Sequence, residues 1–263
     1  QIARAKQIVV WGKDLHTTCP HLIPFVMRAK RAGARVVVID PLVTRAAEFA
    51  DEAFHPAPGS DMAIGLAALR LAVLRGLVRA DARDRVVGFD ALETLVRSGN
   101  PEAWRNEADL PPGAFDRLVD ALVTTRPTMF LVGWGLQRRC LGGTTLRVLA
   151  ALAYLLGDVG VSGGGFYFAF TRKRRLDLTW SEGPPPARTI PTAELAHGLT
   201  ALTNPPVELL FIDNANPVAQ HPDSNAVAAA IACVPHVVVT DSFLTDTARL
   251  AEVVLPAATM LEE

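Results

Sequence analysis

The sequence predicts an α/β protein made of two doubly wound, parallel-sheet lobes related by an internal repeat. Its strand candidates are nearly all continuous apolar runs, which suit parallel strands buried on both faces. They alternate with helical stretches of about 10 to 18 residues, the pattern of a doubly wound sheet. The third observation is that two stretches 201 positions apart follow one plan.

The first stretch runs from a strand at Ile8 to Trp11, through the loop Gly12-Lys13-Asp14 and a helix, to a strand at Arg35 to Ile39 that ends on Asp40. The second runs from a strand at Glu208 to Ile212, through Asn214-Ala215-Asn216-Pro217 and a helix, to Val237 to Thr240, ending on Asp241. The phase persists beyond each aspartate. Thr44 answers to Thr245, Ala47 to Ala248, Ala50 to Ala251 and Asp51 to Glu252, and strands follow at Glu52 to His55 and Glu252 to Leu255. A carboxylate at the carboxyl end of a buried parallel strand stands at the lip of the crevice where such sheets bind ligands. An aspartate also ends a strand well at a turn, so either one alone leaves both readings open.

Between the repeats, Ala63 to Val78 reads as a core helix. Gly65, Arg70 and Arg75 interrupt it, so it is too short and too charged to span a bilayer. Ser60 and Asp61 are expected to cap its first turn. A helix is predicted at Pro112 to Thr124, then a strand at Thr128 to Val132 and a helix at Thr144 to Leu156, stopped by Gly157 and Gly160. The polar, proline-rich stretch 171–191 is expected to be an exposed loop. These boundaries predict one lobe at 1–135 and a second at 136–263.

Composition narrows the function classes. A net charge of −1 argues against a nucleic-acid surface, and the basic run Arg172 to Arg175 reads as a solvated loop. Three scattered cysteines, Cys19, Cys140 and Cys233, encode neither a disulfide framework nor an iron–sulfur ligand set. The histidines show no metal-ligand spacing, and no metal site is expected within the chain. No Ser-His-Asp, Cys-His or paired-carboxylate set emerges either, so the chain reads as a binder that carries no catalytic residue of its own. It opens on Gln1 and stops at Glu263, and is expected to be an internal piece of a longer protein. The compartment is left open, cytoplasmic or periplasmic in a bacterium.

Two loops invite a ligand. Gly133-Trp134-Gly135-Leu136-Gln137-Arg138 begins like a dinucleotide fingerprint, but Arg138 replaces the third glycine and no acidic strand end follows, so an ordinary NAD site is not expected. Pro58-Gly59-Ser60-Asp61 sits at a helix start, where free N–H groups attract an anion. Asp61 can serve as a plain helix cap. As an acceptor-only carboxylate it also matches the paired N–H donors on the Watson–Crick edge of guanine.

Taken in order, several segments resemble the molybdopterin-guanine-dinucleotide oxidoreductases, the superfamily of formate dehydrogenase, nitrate reductase and dimethyl sulfoxide reductase. They are Asp14 to Pro20, Val36 to Pro41, Pro58 to Asp61, Gly133 to Gln137, Leu155 to Gly165, Asn216-Pro217 and Asp241 to Pro256. The resemblance covers nearly the whole chain. It implies two Rossmann-like lobes and two guanine dinucleotide pterins (bis-MGD) carrying molybdenum or tungsten. One guanosine is expected on Gly12, Asp14, Asp40, Gly59 and Asp61, and the other on Asn216, Asp241 and Thr245. Gly133, Gly135 and Gln137 are expected beside the pterins. The metal ligand, and any 4Fe-4S cysteine motif, are expected in the remaining domains of the same polypeptide, with electron-transfer subunits as further partners. The chain departs from the family pattern by carrying Asp14 for Asn, Cys19 for His, Leu42 for Arg and Glu252 for Asp. Two other readings are a non-catalytic subunit of the same fold in a respiratory complex and a module like the middle domain of thiamine-diphosphate enzymes, which explains one half but not the repeat.

Overall fold

The structure is a computed structural model that describes residues 1–168 and 188–262. Contacts divide the chain into two compact units, Gln1–Leu176 and Asp177–Glu263. The expected loop at 171–191 and its basic run lie almost wholly outside the described residues.

The first unit runs β1 (Gln7–Trp11), α1 (Leu15–Thr18), α2 (Ile23–Arg31), β2 (Arg35–Ile39), β3 (Glu52–Phe54), α3 (Asp61–Leu74), α4 (Ala82–Arg85), α5 (Phe89–Ser98), α6 (Pro101–Ala108), α7 (Ala114–Thr124), β4 (Thr128–Val132), α8 (Gly142–Leu155) and β5 (Gly165–Tyr167). Its sheet is parallel throughout, in the order β3-β2-β1-β4-β5. Alternate strand residues feed two separate cores. Val9, Trp11, Val37, Ile39, Phe130 and Val132 pack with Leu69, Leu118 and Leu149 of α3, α7 and α8. Ile8, Val10, Val36, Val38 and Leu131 pack with Val26 and Ala29 of α2 on the other face. Continuous apolar strands are therefore required, because both faces are dry.

The boundary expected after residue 135 is corrected here, since α8 and β5 belong to the first unit. Leu149 and Leu152 of α8 lie in its core, and β5 adds to β4 in parallel register. The Pro-Pro pair at 111–112 also falls before helix α7, which starts at Ala114 after the left-handed Gly113.

The second unit runs α9 (Leu195–Ala201), β6 (Leu209–Asp213), α10 (Pro217–Gln220), α11 (Ser224–Ala232), β7 (His236–Asp241) and β8 (Val253–Pro256), with sheet order β6-β7-β8, again parallel. This repeats β1-β2-β3, bond by bond. Val37 pairs with Glu52 and Val238 with Val253, an offset of 201 on both strands. The offset is not constant, however. The partner of Val36 is Ile8, whereas the partner of Val237 is Leu210, so the first strand and its loop repeat at 202. Gly12 N–H donates to the Ile39 carbonyl at 2.8 Å, and Asn214 N–H to the Thr240 carbonyl at 3.1 Å. Both residues hold a left-handed backbone, φ 55° and 50°, which glycine and asparagine tolerate best.

Candidate functional site

Strand order places the topological switch point of the first sheet between β1 and β4, since the chain leaves β1 toward β2 and later returns to β4 on its other side. Ligands of open α/β sheets lie in this crevice, beyond the carboxyl ends of the strands. Gly12 follows β1 and Gly133 follows β4. The two approach so closely that a Cβ on Gly133 would lie 1.6 Å from the Gly12 carbonyl oxygen, and one on Gly12 would meet Leu136 at 2.1 Å. Only bare backbone leaves the crevice open.

Two cavities share Gly12 and Gly135 in this crevice. One, of about 470 Å³, is lined by Lys13, Asp14, Thr18, Cys19, Gly133, Trp134, Tyr167 and Phe168. The other, of about 150 Å³, is lined by Asp40, Pro41, Pro56, Ala57, Pro58, Gly59, Asp61, Leu136 and Arg139. A further groove of about 490 Å³ lies on the outer flank between α3, α6 and α7. Its Arg75 and Arg105 are already paired with Asp120, Glu102 and Asp116. We place no function there.

The smaller cavity is acidic on one side. Asp61 does not cap α3: its Oδ1 accepts the Trp11 indole N–H at 2.7 Å, while the Ser60 hydroxyl donates to the Ala57 carbonyl. The first-turn N–H groups of α3 are thus left without a side-chain cap. Burial raises the Asp61 carboxyl above its ordinary value, against the opposing pull of the Trp11 bond and the Arg139 charge. Asp40 is also buried, and burial likewise raises its carboxyl, against the Leu42 N–H that its Oδ1 accepts at 2.9 Å. Its backbone carbonyl sits 2.8 Å from His55 Nδ1.

Asp14 behaves differently. Its Oδ1 accepts the His16 and Thr17 N–H groups and its Oδ2 the Thr17 hydroxyl, so it is the N-cap of α1, and the Thr17 bond holds its carboxyl below the usual value. Gln137 stands exposed at the end of the turn Trp134–Gln137 and lines neither cavity.

In the second unit, Asp241 Oδ1 accepts the Phe243 N–H at 3.0 Å, the same turn that Asp40 makes with Leu42. Asn216, at the position equivalent to Asp14, accepts the hydroxyl of the fully buried Thr247 at 2.6 Å, and Thr247 in turn accepts the Val218 N–H. Thr245 accepts the Ala248 N–H. The loop after β7 thus ties Asn216, Asp241 and Thr245 to one lip.

Lys13, Trp134, Arg139, Tyr167 and Thr247 were not evident as site residues from sequence. Lys13 and Trp134 stand inside loops that the sequence singles out, and that adjacency was the available signal. Thr247 likewise stands inside the Asp241 to Pro256 segment, whereas Arg139 and Tyr167 carry none. Among the described residues no helix is long and apolar enough to cross a membrane, and no cluster of three or more His, Cys, Asp and Glu can hold a metal ion.

The chain matches the molybdopterin oxidoreductase family over residues 1–263. It belongs to that family. It is similar to YyaE, a probable oxidoreductase of Bacillus subtilis, at 31% identity over 100% of this chain and 40% of that protein. It is 29% identical to the assimilatory nitrate reductase of Haloferax mediterranei, over 98% of this chain and 39% of that one. Among solved structures, acetylene hydratase from Pelobacter acetylenicus shares the fold with a TM-score of 0.75 at 19% identity, covering 100% of this chain and 42% of that one. The chain therefore spans about two fifths of the length of these relatives. Family membership implies a molybdopterin cofactor with molybdenum or tungsten.

Proposed function

We propose that the chain is the molybdopterin-guanine-dinucleotide-binding region of a molybdenum or tungsten oxidoreductase. The supporting observation is the crevice between β1 and β4, where two cavities meet at bare Gly12 and Gly135: an acidic one holding Asp40 and Asp61, and a larger one holding Lys13 beside Asp14, whose carboxylate is turned to capping α1. These donors and acceptors fit a ligand with a base at one end and an anionic middle. The guanine edge goes to Asp61, and the phosphates pass over Gly12 and Gly135 beside Lys13. The rest lies against Trp134 and Tyr167. The lip formed by Asn216, Asp241 and Thr245 holds the guanosine of the second cofactor. When bound, the pterin and its metal supply the redox chemistry, and this chain binds, orients and excludes water.

The metal ligand, any iron–sulfur cluster and the electron-transfer partners belong to the rest of the enzyme. The purified chain alone should show no oxidoreductase turnover, and elemental analysis should find no stoichiometric molybdenum or tungsten. Metal that survives chelation would contradict this. Calorimetric titration with GMP and AMP tests the site itself. A carboxylate paired with the guanine N–H donors contributes roughly 1.5 to 3 kcal/mol, so Asp61→Ala should weaken GMP by about tenfold or more. Unchanged GMP affinity in that variant would remove Asp61 from the site.

A further inference from the structure

Arg139 enters the smaller cavity from the β4 side. It is exposed, it lines the cavity with Asp40 and Asp61, and its guanidinium Nη1 stands 3.6 Å from where a Cβ on Gly59 would be. None of the ion pairs among the described residues involves it. Leu42, after the Asp40-Pro41 turn, is 70% exposed and brings no cation.

The cavity therefore presents two carboxylates and one guanidinium to a single occupant. Asp61 Oδ1 accepts Trp11 and Asp40 Oδ1 accepts Leu42, so each carboxylate keeps Oδ2 and the second lone pair of Oδ1 as acceptors. The occupant must offer N–H donors to the acids and an acceptor to the arginine. A 2-amino-6-oxopurine does both, since its N1–H and N2–H groups donate while O6 and N7 accept, and arginine pairs with that O6/N7 edge bidentately. Adenine turns a donor toward the arginine instead. The phosphates have a separate cation, because Lys13 lines the neighbouring cavity across Gly12 and Gly135.

We propose that Arg139 reads the carbonyl edge of the purine, donating to O6 and N7 while Asp61 accepts the N1–H and N2–H donors. This rests on the guanine reading given above. Titration of the wild type and Arg139→Gln with GMP, guanosine and AMP tests it, with circular dichroism to confirm that the variant folds. Arg139→Gln should weaken GMP and guanosine by the same factor, about tenfold or more, and leave AMP unchanged. A loss confined to GMP would make Arg139 a phosphate partner and overturn the proposal, as would no loss at all. Wild type that binds GMP and AMP equally would sink the guanine reading, and this inference with it. Preference for GMP over AMP that survives Arg139→Gln undiminished would sink the inference alone, since Asp61 by itself sustains only part of that preference.

Discussion

The βαβ unit at residues 7–56 and its counterpart at 209–257 share strand order, register and the turn made by their terminal aspartates, yet they differ in what covers them. In the first, both sheet faces are dry, and Val9 is fully buried. In the second, helices pack on one face through Ile212, Val237 and Val239, while Leu209, Phe211, Val253 and Leu255 of the other face are 44–60% exposed. Strand pairing and the left-handed residue that opens the loop thus carry the repeat. The first unit adds β4, β5 and helices α3, α7 and α8, and with them the crevice. A repeated aspartate is therefore not a repeated environment: Asp40 is buried and its carboxyl raised, whereas Asp241 is half-exposed.

The largest expected effect lies where the first unit closes on itself. Gly133→Ala sets a methyl against the Gly12 carbonyl, backbone that cannot swing aside, and should destabilise the first unit by about 3 kcal/mol. Peptide-resolved hydrogen exchange should show protection lost there and kept in β6 to β8. Equal loss in both units would contradict the separation.

Next comes the pair Val9 and Phe211, which the register makes equivalent at an offset of 202. Val9→Ser removes a buried side chain and buries a hydroxyl, at a cost of about 3 kcal/mol. Phe211→Ser, on the open face, should stay within about 0.5 kcal/mol. Similar denaturant shifts for both would mean that the second face is covered in solution.

A third effect is a pH slope confined to the first unit. Asp158 is fully buried; its Oδ1 accepts the Thr128 N–H at 2.7 Å, and Oδ2 lies 3.2 Å from Arg126 Nη1. Burial pushes its carboxyl up to about 6 and lowers Arg126, so ion pairing does not fully offset desolvation. With a folded value raised above the ordinary 3.8, this group contributes stability below about pH 4 that is lost as pH rises through about 6. Exchange protection in β4 should fall across that window. Asp158→Asn should flatten the slope, and a slope retained by the variant would assign it to another group.

Much of this was legible in the sequence, for a physical reason. Strands buried on both faces must be apolar without interruption, so β1, β2 and β4 stand out. The edge strand Gly165–Tyr167 is short, partly exposed and begins on glycine, so it carries no such run. The one-residue slip between the halves was written in Gly12 and Asn214, which share a left-handed backbone but not a side chain. Asp61 looked like a helix cap because its true partner, Trp11, lies 50 positions away. Arg139 reaches the same cavity only through the fold of the turn after β4, which no local pattern announces.

A guanine nucleotide in the β1–β4 crevice of the first unit, as proposed above, would sit against Asp61. The Trp11 indole N–H, donated to Asp61 beneath the smaller cavity, reports on it directly. In a two-dimensional NMR titration, GMP should shift the Trp11 indole and Gly12 amide signals saturably while AMP leaves them in place. Those two signals staying fixed while GMP binds elsewhere, or moving equally with AMP, would contradict the account.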